Sequence, residues 1–119
     1  MVSNNDSILN TIKKLLGLSE EYTQFDTDII VHINSVFSVL HQLGVGPDAG
    51  FSISDASAVW SDFIQGNATI NDVKSYVYLK VRQLFDPPTN SSILKAQEEM
   101  IKEYEWRLNV AVDNGSETT

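Results

Sequence analysis

Two histidines, two aspartates at a helix start and a short glycine-rich turn are the residues of this chain whose types and spacing could do chemistry. His32 and His41 stand nine positions apart in one helical stretch. At about 100° per residue they point to nearly opposite sides and do not share a metal. Asp26 and Asp28 could form a carboxylate pair, yet both fall where helix-initiating acids belong, at a cap and in the first turn. Gly44-Val45-Gly46-Pro47 lacks the Lys-Ser/Thr of a phosphate-binding loop and follows a helix rather than a strand, so it reads as a turn. The chain has no cysteine, hence no thiolate nucleophile, no disulfide framework and no cysteine-based zinc site. The acceptor-like triplets Asn67-Ala68-Thr69 and Asn90-Ser91-Ser92 read as loop and cap residues, since the polar start of the chain gives no secretory signal. No nucleophile, base and orienter can be assembled from these residues. The expectation is a protein that is not an enzyme and uses no cofactor or metal.

The aromatic residues are the remaining candidates. Trp60, Trp106, Tyr76, Tyr78 and Tyr104 fill a core in most small helical domains, and their second use is at interfaces, where Trp, Tyr and Arg dominate the binding energy. Trp106 and Arg107 sit near the end of the longest charged helix. With Asn109, Val110 and Val112 they form a candidate contact site, and Phe51, Ile53 and Trp60 form a second one.

The elements that position these residues are helical. The first helix runs from an N-cap at Asp6 or Ser7 to Gly17, with Ile8, Leu9, Ile12, Leu15 and Leu16 at helical spacing and Leu18 covering the last turn. The second begins after Asp26 or Thr27 and repeats Ile29, Ile33, Val36, Leu40 and Leu43 at steps of four and three, ending at Gly44. Ile30, Phe37 and Val39 widen its apolar arc, which suits a helix packed on two sides. The third spans about residues 71–85 and is expected to be the most buried, because Val73, Tyr76, Val77, Tyr78, Leu79, Val81, Leu84 and Phe85 leave little polar surface. It ends where Asp86 precedes Pro87. The fourth spans about residues 91–112, with Ile93, Met100, Ile101, Tyr104, Leu108 and Ala111 along one side. Its other side pairs Glu98 with Lys102 and Glu103 with Arg107. Residues 45–70 are undecided: Phe51 and Ile53 alternate as in a short strand, whereas Trp60, Phe63 and Ile64 have helical spacing after a possible cap at Ser54 or Asp55, and Gly66-Asn67 reads as a turn. A connection this long is a candidate contact region. The fold class expected is all-α: a small bundle of about four helices, with a long irregular segment and possible short strands between the second and third. Residues 1–112 form one domain, and 113–119 have the composition of a flexible tail.

Composition bounds the function. At 119 residues with 42% hydrophobic content, one domain can fill its own core. No stretch reads as a membrane span, because Lys13 and Lys14 interrupt the first apolar run. Eight basic against sixteen acidic residues give a net charge of -8. Such a chain repels phosphate, which argues against a direct reader of nucleic acid.

One long run is distinctive. Val73-Lys74-Ser75-Tyr76-Val77-Tyr78-Leu79-Lys80-Val81-Arg82-Gln83-Leu84-Phe85-Asp86-Pro87-Pro88, followed by Glu105-Trp106-Arg107-Leu108-Asn109, resembles the head-to-tail connector family of tailed bacteriophages. Within it Tyr76, Phe85, Asp86, Pro87 and Pro88 carry the family pattern. The opening helix, Phe25-Asp26-Thr27-Asp28 and Gly44-Val45-Gly46-Pro47 also resemble members from phages of Gram-positive bacteria. The resemblance implies a helical adaptor forming a ring of about a dozen copies in the virion neck, assembled in the host cytoplasm. Its implied partners are the portal protein, a stopper or tail-completion protein, and passing DNA held without specific binding. A different class also fits the composition: a small acidic regulatory module, antitoxin-like or anti-repressor-like, that binds a single protein partner.

Overall fold

A computed structural model describes residues 6–64 and 68–117. The Gly66-Asn67 turn, the polar start of the chain and its last two residues lie outside them. The described residues form five helices: α1 (Ile8–Leu15), α2 (Asp26–Gln42), α3 (Trp60–Phe63), α4 (Ala68–Phe85) and α5 (Ser91–Glu117). The all-α expectation holds.

Two helices end by the same device. After α1, Gly17 takes φ +86° and the Leu18 N–H reaches the Lys13 carbonyl at 2.8 Å. After α2, Gly44 takes φ +84° and the Val45 N–H reaches the Leu40 carbonyl at 2.9 Å. In each case a left-handed residue lets the following amide satisfy a carbonyl that the helix leaves open. At the other ends, the Ser7 hydroxyl caps α1 by accepting from the Asn10 amide, and the Asn90 side chain accepts from Ser92 and Ile93 at the start of α5.

Several boundaries differ from the sequence reading. Asp26 is the first residue of α2 rather than its cap; Phe25 occupies the cap position, with no side-chain hydrogen bond there. The Asp26 carboxylate is drawn instead to Lys13 Nζ, 2.9 Å away. α4 begins at Ala68, earlier than residue 71. α5 continues to Glu117, so the boundary placed at residue 112 falls inside a helix: no proline intervenes, and adding a residue to an existing helix needs no new nucleus. The strand suggested by Phe51 and Ile53 does not form. Ile53 bonds on both sides to the Asn34 side chain, its N–H donating to Oδ1 at 2.8 Å and its carbonyl accepting from Nδ2 at 2.9 Å. A side-chain amide replaces the neighbouring strand. Ser54 and Asp55 do not start the following helix either; Asp55 closes a local turn with Ser57, and Val59 caps α3.

α4 is the central layer. Its Val73, Tyr76, Val77, Leu79 and Val81 are buried, as are Ile29, Ile33, Val36, Phe37 and Leu40 of α2 and Ile8, Leu9 and Ile12 of α1. Leu84 departs from the expectation and is exposed near the end of the helix. α5 packs chiefly on α4, with Ile101 and Leu108 buried and Tyr104 and Val112 partly so. Ile93 and Met100, expected in that seam, are exposed. The molecule is flat, 44 × 42 × 21 Å.

Candidate protein-protein interface

The residues with catalytic potential are dispersed. His41 is exposed and His32 half-buried, at nearly opposite positions around α2. Among the described residues no three His, Asp or Glu side chains gather as a metal site would require, and no helix is long and apolar enough to cross a membrane. The glycine-rich turn has a packing role. Gly46 takes φ +95°, and a Cβ there would run into the ring of Phe63. Asp28 is exposed in the first turn of α2, where a carboxylate favours the helix dipole. Asp55 is held below the ordinary carboxylate range by the hydroxyl and then the backbone amide of Ser57.

Lys13 is the residue that sequence reading missed. It is 1% exposed, and its ammonium donates to the Glu20 carbonyl at 2.9 Å while pairing with Asp26. One charged side chain thus ties the turn after α1 to the start of α2. The signal was present: Lys13 follows Leu9 by four and precedes Leu16 by three, inside the apolar arc.

The second candidate group serves the core. Ile53 and Trp60 are buried and Phe51 is half-buried, with Phe51, Trp60 and Phe63 all packed around the Phe37 ring. The Trp60 indole N–H donates to the Thr11 hydroxyl at 3.1 Å, and Lys74 lies over its ring. In this chain they hold the connecting segment onto the bundle. Among the motif residues, the Tyr76 hydroxyl donates to Glu105 at 2.7 Å, joining α4 to α5. Burial, then that hydrogen bond and the charge of Glu105, push the phenol above its ordinary value. Phe85 meets Phe25 edge to face. Asp86 and Pro87 are exposed and Pro88 half-buried in the α4–α5 turn.

The end of α5 is different. Trp106 is 67% exposed and projects away from the seam formed by Ile101 and Leu108. Arg107 pairs with Glu103 at 3.2 Å, approaches Asp72 at 3.9 Å and lies against the Tyr104 ring. The anticipated Glu98–Lys102 pair is not made. Asn109 is exposed and Val110 half-buried; Val112 packs over Gly44, where an added Cβ would lie 3.2 Å from its Cγ1. Of the five, Trp106, Arg107 and Asn109 are exposed, whereas Val112 turns toward the core; an exposed indole is a residue type favoured at protein interfaces. The charge is also partitioned. Residues 15–73 hold eight acids and no Lys or Arg, and the rest of the chain balances eight against eight.

The model of the phage connector protein family matches residues 8–115, from the first residue of α1 into the last turns of α5. The chain belongs to that family. A connector is a structural component of the phage particle; α1 to α4 fall wholly within the match, and α5 does so up to residue 115. No curated protein and no solved structure matches the chain.

Proposed function

We propose that this connector forms a ring of about a dozen copies between the portal and the tail-completion or stopper protein, around the path of the DNA in the virion neck. The observation that carries the reading is the family match over residues 8–115, which runs from the first residue of α1 into the last turns of α5. The likeness of α1, the start of α2 and the turn after it to members from phages of Gram-positive bacteria suggests such a host. In the ring, the last turns of α5 provide contacts to the portal or to a neighbouring copy through Trp106, Arg107, Asn109, Val110 and Val112. The acidic stretch at residues 15–73 lets duplex DNA pass, because carboxylates offer phosphate no attraction.

A chain truncated after Leu108 tests the portal contact. It keeps the buried seam of α5, so its helical circular dichroism should persist while portal capture in a pull-down is lost. Equal capture by the truncated and full chains would strike Asn109, Val110 and Val112 from the contact, and equal capture after Trp106→Ala as well would move it to the exposed residues of the 45–64 segment. Stoichiometric one-to-one binding of a non-virion protein, with no ring on portal particles by negative stain, would favour the regulatory alternative.

A further inference from the structure

Two features of the molecule are left unused by the fold. The first is the outward side of α5, where Lys95, Lys102, Trp106 and Asn109, at spacings of seven, four and three, are all exposed on one face. Neither lysine has an ion pair. A tryptophan buries about 150 to 250 Å² where it is used for packing, and this one is 67% exposed. The second is a cleft of about 480 Å³ between α1 and the turn after it, lined by Lys14, Leu15, Leu18, Ser19 and Glu20 among others. Its size lies in the roughly 300 to 1,000 Å³ range of sites that accept a ring-sized group. Leu15, on its wall, is 47% exposed.

We propose that Trp106 of one copy of this chain seats in the α1 cleft of the next. The inference rests on the ring reading and adds the two surfaces that would make the ring. Knob and hole are different patches on different elements, so the contact is heterologous and propagates from copy to copy until it closes. α5 packs chiefly on α4, whereas α1 packs on α2 and α4, which leaves the two patches free to face different neighbours. Electrostatics selects the same pairing. Glu20 and Glu21 stand exposed at and beside the cleft, and Lys95 and Lys102, on the same face as Trp106, are the cations of α5 that no ion pair occupies, so this part of the helix brings positive charge to an acidic rim. Seated, the indole covers Leu15 and Leu18, the Lys14 ammonium lies over its face, and Lys102 approaches Glu20 and Glu21. Lys13 prepares the site from beneath: its bond to the Glu20 carbonyl fixes the rim of the cleft.

Because the chain lacks cysteine, placed thiols report the contact without background. Asn109→Cys protein mixed with Ser19→Cys protein keeps both Trp106 and Leu15. At high concentration or on portal, a short bis-maleimide should link the mixture into dimers, and a chain carrying both substitutions into a ladder. In the unmodified protein, acrylamide quenching of Trp106 should fall on assembly, with Trp60, 1% exposed, as the shielded reference. Trp106→Ala should weaken self-association at least about 30-fold with an unchanged Tm. Rings that form while Trp106 stays quenchable and the mixed thiols stay unlinked would overturn this contact and leave the ring reading standing. An unmodified chain that does not self-associate, either concentrated or on portal, would overturn both.

Discussion

Lys13 and Tyr76 show how much single polar groups do inside this small core. Replacing Lys13 by Ala strands the Asp26 carboxylate and the Glu20 carbonyl. Because Asp26 is 25% exposed and keeps part of its hydration, the expected loss is about 2 to 3 kcal/mol, below the roughly 3 to 5 kcal/mol of a fully buried pair. Urea denaturation should show it as a lowered midpoint at unchanged slope. Tyr76→Phe removes a hydrogen bond to a charged group, worth roughly 1.5 to 3 kcal/mol, and also changes the response to alkali. In the unfolded chain the phenol ionises near pH 10, while in the folded protein it keeps its proton above that. Folding stability should therefore be full below about pH 10 and decline above it, by up to about 1.4 kcal/mol per pH unit from this group. Tyr76→Phe should flatten that decline, and thermal melts at pH 9 to 11 would show whether it does.

At the scale of the elements, the periodic parts were legible in the sequence and the irregular part was not. The glycine ends of α1 and α2, the four-and-three repeat of α2 and the proline-limited end of α4 are local signals, each written within a few residues of what it controls. The 45–64 segment is ordered by bonds between distant positions: Asn34 to Ile53, nineteen residues apart, and Ser7 to Ala56, forty-nine apart. No window of neighbouring residues contains them. The same limit applies to the candidate interface. The residue type of Trp106 is visible in the sequence, but its outward direction depends on which side of α5 meets α4. Leu40, 0% exposed and central to α2, was legible, and Leu40→Asp should unfold the protein, since an unpaired buried carboxylate costs more than a small domain can spare. Asn34→Ala should be local: hydrogen exchange at the Ile53 amide should rise sharply while the α4 amides stay protected.

For the whole molecule, the division of charge decides behaviour in solution. Purified protein should not retard duplex DNA at physiological salt, and any binding seen at low salt should fade steeply as salt rises; a salt-resistant mobility shift would contradict a passive channel. The same division has a consequence for proteolysis. Trypsin cuts after Lys and Arg, and the sequence offers it nothing between Lys14 and Lys74. The whole of α2, the irregular segment and α3 therefore travel as one peptide, even from a fully unfolded chain. Lys14 is exposed and Lys74 half-buried against Trp60, so limited digestion of the native protein should nick the end of α1 and the outer face of α5 well before it reaches Lys74. The mass spectrum of a complete digest should contain the 15–74 fragment intact.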